Sequence, residues 1–120
     1  MPALGFIETR GRVGAVEAAD AALKAAEVRL ITVRKVSGGL VTVIIEGEVA
    51  AVQASIEAAK IRARQLHCDA ATNVIPGPAE EIHSLIKTIA REEGFKISGN
   101  GSKKRTTRKA ASRARTTKKM

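Results

Sequence analysis

Val28-Arg29-Leu30-Ile31-Thr32-Val33-Arg34-Lys35-Val36 runs into Ser37-Gly38-Gly39 and out again through Leu40-Val41-Thr42-Val43-Ile44-Ile45-Glu46. In the first run Val28, Leu30, Thr32 and Arg34 alternate with Arg29, Ile31, Val33 and Lys35, the period of two that a strand with two different faces requires. The second run is rich in β-branched residues, and glycine between the two supplies the positive φ that a tight hairpin needs. Residues 28–46 therefore predict a β-hairpin. On both sides the period changes to that of a helix. Upstream, Val16, Ala19, Leu23 and Ala26 recur at helical spacing over residues 13–27, after a short apolar run from Leu4 to Thr9 that stops at Arg10-Gly11. Downstream, Val49, Val52, Ile56 and Ala59 do the same over residues 48–66. Ala71 to Ile75 reads as a fourth strand, cut off by Pro76-Gly77-Pro78. A third helix follows from about Ala79 to Gly94, with Glu80 and Glu81 in its first turn and Ile82, Leu85, Ile86 and Ile89 as its apolar stripe. The order βαββαβ plus a C-terminal helix predicts an α+β, ferredoxin-like domain: a four-stranded antiparallel sheet with both intervening helices on one face.

Composition bounds what such a domain can do. The chain has 120 residues, no Trp, no Tyr and two Phe, so its core must be built from Ala, Val, Ile and Leu. A helix layer as rich in alanine as this one buries little area per residue, and oligomerisation is the usual supplement for so small a core. One Cys excludes a disulfide framework and, with two His, leaves too few soft ligands for a structural zinc site within the chain. The chain reads as cytosolic, and its longest strongly apolar run, Leu40 to Ile45, is too short to span a bilayer, so no membrane partner is expected.

Charge is distributed unevenly. Residues 1–95 carry 11 Lys+Arg and 12 Asp+Glu, while residues 96–120 carry 10 basic side chains and no acidic one. The formal charge of +9 thus belongs to the C-terminal stretch, and the chain divides into a folded domain, 1–95, and a basic extension, 96–120, that reads as disordered.

Motifs for catalysis are missing. The sequence has no Walker loop, no G-x-S-x-G and no isolated carboxylate pair, and no cofactor is expected. His67 and Cys68 are adjacent, so their side chains point apart on either a helix or a strand, and a helix-to-strand junction is the simpler reading. His83, next to Ile82, reads as a surface residue. Gly11-Arg12-Val13-Gly14-Ala15-Val16 looks like the phosphate-cradling loop of acylphosphatases, but the hairpin strands lack the Asn that such enzymes use to position water. The sheet also lacks the aromatic residues on which RNA-binding domains of this topology stack bases.

Several separated motifs, in order, carry a more specific resemblance: Leu4-Gly5-Phe6-Ile7-Glu8-Thr9-Arg10-Gly11; Glu17-Ala18-Ala19-Asp20-Ala21; Lys35-Val36-Ser37-Gly38-Gly39-Leu40-Val41-Thr42-Val43-Ile44; Gly47-Glu48-Val49-Ala50-Ala51-Val52; and Val74-Ile75-Pro76-Gly77-Pro78. Over residues 3 to about 88 the chain resembles the single-domain hexameric shell proteins of bacterial microcompartments. The resemblance implies a structural, non-enzymatic subunit that forms cyclic hexamers, which tile into the facets of a shell, and it implies a cytoplasmic location in that shell. It further implies that the hairpin from Lys35 to Gly39, with Ser37 and Gly38 at the constriction, lines a central pore for small polar metabolites. Gly38 stands where many relatives have Ser, which implies a wider, less hydroxyl-lined opening. Lys24 matches the lysine that relatives place on the hexamer edge. Gly77 stands where many have Arg, so an edge hydrogen-bond donor is lost.

The partners so implied are further copies of this chain, other shell proteins and encapsulated enzymes. The extension, with Lys103, Lys104, Arg105, Arg108, Lys109, Arg113, Arg115, Lys118 and Lys119 among Thr, Ala and Ser, also resembles the tails of bacterial DNA-binding proteins. The alternative function is accordingly a nucleic-acid-binding oligomer acting through its tails.

Overall fold

A computed structural model describes residues 1–92. Four strands and three helices follow in the order β1 (Ala3–Arg10), α1 (Arg12–Ala25), β2 (Arg29–Lys35), β3 (Leu40–Gly47), α2 (Val49–Gln65), β4 (Asp69–Ile75) and α3 (Glu80–Arg91). Residues 93–95 of the expected domain, Gly94 as a helix stop and the whole extension 96–120 lie outside the described residues.

The strands form one sheet in the order β2-β3-β1-β4, with every neighbouring pair antiparallel. This is the expected ferredoxin-like arrangement. β1 pairs with β3 from Ala3↔Gly47 to Arg10↔Leu40 without a break, and the edge pairings each contain one irregularity, at Leu30/Thr32 and Glu8/Thr9. Strand alternation then decides which side chain meets which layer. Ile7, Val33, Val41, Val43 and Ile45 turn towards α1 and α2, where Ala15, Ala18, Ala19, Ala22, Val52, Ile56 and Ala59 complete the main core.

Small side chains set the helix spacing. Gly5 lies under α2, where a Cβ would stand 2.8 Å from Val52 and 2.9 Å from Ile45. Gly14 lies against Cys68, whose Sγ a Cβ there would overlap. The hydroxyl of buried Ser55 on α2 donates to the Ala22 carbonyl of α1 at 2.8 Å, and Arg62 on α2 meets Glu17 on α1 at 3.1 Å.

The α1 stripe differs from its expected position. The buried residues are Gly14, Ala15, Ala18, Ala19 and Ala22, while Val16 and Leu23 are exposed. Alanine wins this face because the helices approach too closely for branched side chains, and the larger residues are displaced to the flank. On α2, Val52, Ile56 and Ala59 are buried as expected, and Val49 is exposed.

α3 lies on the opposite face of the sheet. Ile86 is buried there with Leu4 and Ile44, and Phe6, Ile31, Ile75 and Ile89 pack around them. Ile82 and Leu85 of the expected stripe are exposed. His83, expected at the surface, is instead 6% exposed, because it sits three residues before Ile86 and shares its inward face.

Candidate pore hairpin and edge end

The residues singled out by sequence fall at opposite ends of the strands. At one end, Ser37–Gly39 forms a single 3-10 turn between β2 and β3. Gly38 and Gly39 have φ of 75° and 80°, in the left-handed region where a side chain is strained, so the two glycines are needed by the turn itself. The turn is closed by the Val36 N–H donating to the Leu40 carbonyl at 2.7 Å. It is fastened to the start of α1 by the Gly11 N–H donating to the Gly39 carbonyl at 2.8 Å. That bond also occupies the first amide of the loop resembling a phosphate cradle. Lys35, Ser37, Gly38 and Gly39 are all exposed, and a Cβ at Gly38 would meet nothing within 4 Å. The loop is thus anchored at its base and open at its tip.

The other end is reached by following the chain. α1 starts beside the hairpin, and the last turn of this 14-residue helix carries Lys24 to the far end of the strands. β4 runs to the same end, since Ile75 pairs with Leu4, and Gly77 follows it. Lys24 and Gly77 therefore share the end opposite the turn. Lys24 Nζ lies 2.9 Å from Asp20 Oδ2, one helical turn back. This hydrogen bond, with the charge of the same carboxylate, raises the Lys24 pKa above its ordinary value. The ammonium is therefore charged throughout the neutral range. The stability such a raised group contributes is present below its unfolded-state pKa and is lost as pH rises through the elevated value, in the alkaline range. The pair is exposed, so that contribution is slight. A Cβ at Gly77 would meet open space.

Sequence reasoning missed a polar cluster at this same end. His83 Nε2 donates to the Pro2 carbonyl at 2.8 Å and so ties α3 to the N-terminal segment. Its Nδ1 lies 4.0 Å from Glu46 Oε2, and Arg29 lies 3.9 Å from Glu46 Oε1. The signal was the i,i+3 spacing of His83 and Ile86. At the opposite end of α3, Arg34 Nη1 donates to the Ile89 carbonyl at 3.1 Å. His67 and Cys68 do form a helix-to-strand junction: His67 is exposed with φ of 56°, and the buried Cys68 thiol faces the Ala63 carbonyl. The nine basic residues from Lys103 to Lys119 lie outside the described residues.

Among the described residues no cluster of three or more His, Cys, Asp or Glu side chains could hold a metal ion. No described helix is long and apolar enough to cross a membrane. A cleft of about 710 Å³ opens at the Lys24 end, lined by the N-terminal segment, Glu27–Arg29 and Glu46–Ala50.

Known proteins place these features in a family. The BMC domain matches residues 3–78. Bacterial microcompartment shell protein PduA of Citrobacter freundii is 43% identical over 84 residues, which are 70% of this chain and 90% of the relative. Shell protein EutM of Salmonella typhimurium is 41% identical over 101 residues, 84% of this chain and 96% of the relative. A solved microcompartment protein from Desulfitobacterium hafniense superposes with a TM-score of 0.67 at 32% identity over 81% of this chain. The chain spans about half of that protein, 51% of its length. With one domain matched over most of its length and relatives covered almost end to end, the chain belongs to the BMC-domain family of bacterial microcompartment shell proteins.

Proposed function

We propose that this chain is a structural, non-catalytic subunit of a microcompartment shell, that it closes into cyclic hexamers, and that the hexamers tile edge to edge with further copies and other shell proteins. Six copies of the Ser37–Gly39 turn surround the six-fold axis and form a pore for small polar metabolites. The observation that carries this reading is the separation of the two candidate sites along one strand direction. An open glycine turn, anchored through Gly11, lies at one end, and Lys24 and Gly77 lie at the other. A wedge with those two ends can meet an axis with one and a neighbouring ring with the other.

Ring closure needs a heterologous interface, in which two different surfaces of each subunit meet. The chain exposes apolar residues suited to that role: Val13, Val16 and Leu23 stand on the outer side of α1, away from the core alanines. Covering them supplies burial that the Ala-rich core lacks. At the pore, backbone amides and the Ser37 hydroxyl offer hydrogen bonds with little side-chain bulk, which suits small polar solutes. Encapsulated enzymes are the further partners of the assembled shell.

Lys24→Asp tests the edge. It replaces the cation of the Lys24–Asp20 pair with a second carboxylate while leaving the core and the hairpin untouched. The expected result in electron micrographs is intact hexamers that no longer grow into sheets or tubes. Normal sheets from the variant overturn the edge assignment, and loss of the hexamer itself shows that Lys24 acts within the ring.

A further inference from the structure

The described domain is nearly neutral but polarised along its strands. Arg10, Arg34 and Lys35 stand at the hairpin end, where Arg12 opens α1 and Arg91 closes α3. Glu27, Glu46, Glu48, Glu80 and Glu81 stand at the opposite end, around the starts of β2, α2 and α3 and the end of β3, and outnumber the two cations there, Lys24 and Arg29. The cleft of about 710 Å³ opens among the first three of these carboxylates. Its lining is apolar at Ala3, Val28, Val49 and Pro76, and its charged side chains are three carboxylates, Glu27, Glu46 and Glu48, against one guanidinium, Arg29. Glu46 lies 3.9 Å from the Arg29 guanidinium and beside the His83 ring. Glu27 and Glu48 are exposed and have no ion pair among the described residues.

We propose that this cleft is the docking site of the chain's own basic extension, residues 103–120, which folds back along the domain from the hairpin end to the acidic end. Three features on the molecule select this occupant. The first is charge: two carboxylates lack a cation, and the extension carries nine between Lys103 and Lys119 with no acidic residue. The second is shape. Lys and Arg lay methylene stems on apolar surface while keeping their charged heads in polar surroundings, and the intervening Ala, Ser and Thr are small enough for the cleft. The third is reach. The Arg34–Ile89 bond fixes the end of α3 beside the hairpin half of β2, so the chain leaves the described structure at the basic end, which repels the extension. Ten residues lie between Glu92 and Lys103, which makes eleven steps from Cα to Cα. Extended, they span about 36 Å, against about 26 Å for an eight-residue strand. Tethering raises the effective concentration of the segment at the cleft to about the millimolar range, so weak exposed ion pairs suffice to hold it.

The inference does not depend on ring formation. If the Lys24 end is the ring perimeter, as proposed above, the extension brings cations to an edge where Gly77 supplies no guanidinium.

Zero-length carbodiimide coupling of the full-length protein tests the proposal, because it joins only carboxylates and amines already in contact. The expected products link Lys103, Lys104, Lys109, Lys118 or Lys119 to Glu27 or Glu48, several-fold above links to the exposed Glu57 on α2, and they are lost at high salt, where the screening length falls to about 3 Å. Links spread evenly over all exposed carboxylates overturn it. So do links that join isotopically light and heavy chains in a mixture, which would assign the occupant to another copy of the chain. As a second readout, Glu27→Gln/Glu48→Gln in the full chain is expected to speed tryptic removal of the extension several-fold without altering the circular dichroism; an unchanged rate overturns the proposal. Light scattering of the same samples reports ring mass separately, so failure of the hexamer reading and failure of this one are distinguishable.

Discussion

On one face of the sheet, α1 and α2 pack so closely that α1 buries only glycine and alanine, and a single added methyl at Gly5 or Gly14 has no room. On the other face, α3 rests on one buried isoleucine, a ring of half-buried neighbours and two side-chain-to-backbone bonds at its ends, His83 to Pro2 and Arg34 to Ile89. The first face is specified by shape, the second by a few anchors. A shape-specified layer fails when volume is added, whereas an anchored helix fails when a polar contact is removed.

The largest effect that distinguishes the two faces is expected at Gly5. Gly5→Ala puts a methyl within 3 Å of both Val52 and Ile45, with Ile56 at 3.1 Å, and overpacking of this kind costs about 1–3 kcal/mol. Thermal unfolding at fixed protein concentration checks it, and a melting point unchanged from the parent would show that the helix layer is looser than its geometry. Gly14→Ala should cost a similar or slightly smaller amount for a different reason, since its obstacle is one side chain, Cys68. Combining it with Cys68→Ala removes the nearer atom, Sγ, and leaves only the Cβ of residue 68, 3.0 Å away. The double variant should therefore be more stable than the two separate losses predict, a coupling read by a double-mutant cycle.

Ser55→Ala comes next. It deletes a buried 2.8 Å hydrogen bond and should cost about 1 kcal/mol.

On the opposite face, His83→Ala and Arg34→Ala are expected to leave global unfolding little changed and to act locally. Amide hydrogen exchange should quicken in α3 alone, because the two bonds fasten its ends and the main core does not include it. Faster exchange in α1 or α2 would contradict the division between the faces.

The sequence made the strands and their order legible because the hairpin carries two strong signals at once, a period of two and a glycine turn. The same glycines close the turn that the family resemblance makes the candidate pore loop, and their positive φ shows that the turn's backbone geometry requires them. Helix faces were harder. On α1, six alanines are spread around the helix, so hydrophobic periodicity favoured the larger Val16 and Leu23, yet close helix approach buries Ala15, Ala18 and Ala22. Hydrophobicity ranks residues by size, and this interface selects against size. His83 was misplaced for a related reason. The i,i+3 spacing to Ile86 marks its inward face, but its hydrogen-bond partner, the Pro2 carbonyl 81 residues away, is a contact that no local pattern reveals. Family membership rested on ordered motifs and was established by comparison; the roles of Lys24, Gly38 and Gly77 in an assembly depend on surfaces that a single chain leaves uncovered.

Those surfaces make ring closure the central claim. Light scattering coupled to size-exclusion chromatography, run on the full-length protein at micromolar concentration, measures it directly. The account predicts one species of about 76 kDa, six copies of the 12.7 kDa chain, or larger particles built from that unit. A stable monomer near the mass of one chain would contradict it, since neither the pore around Gly38 nor the edge at Lys24 exists without the ring.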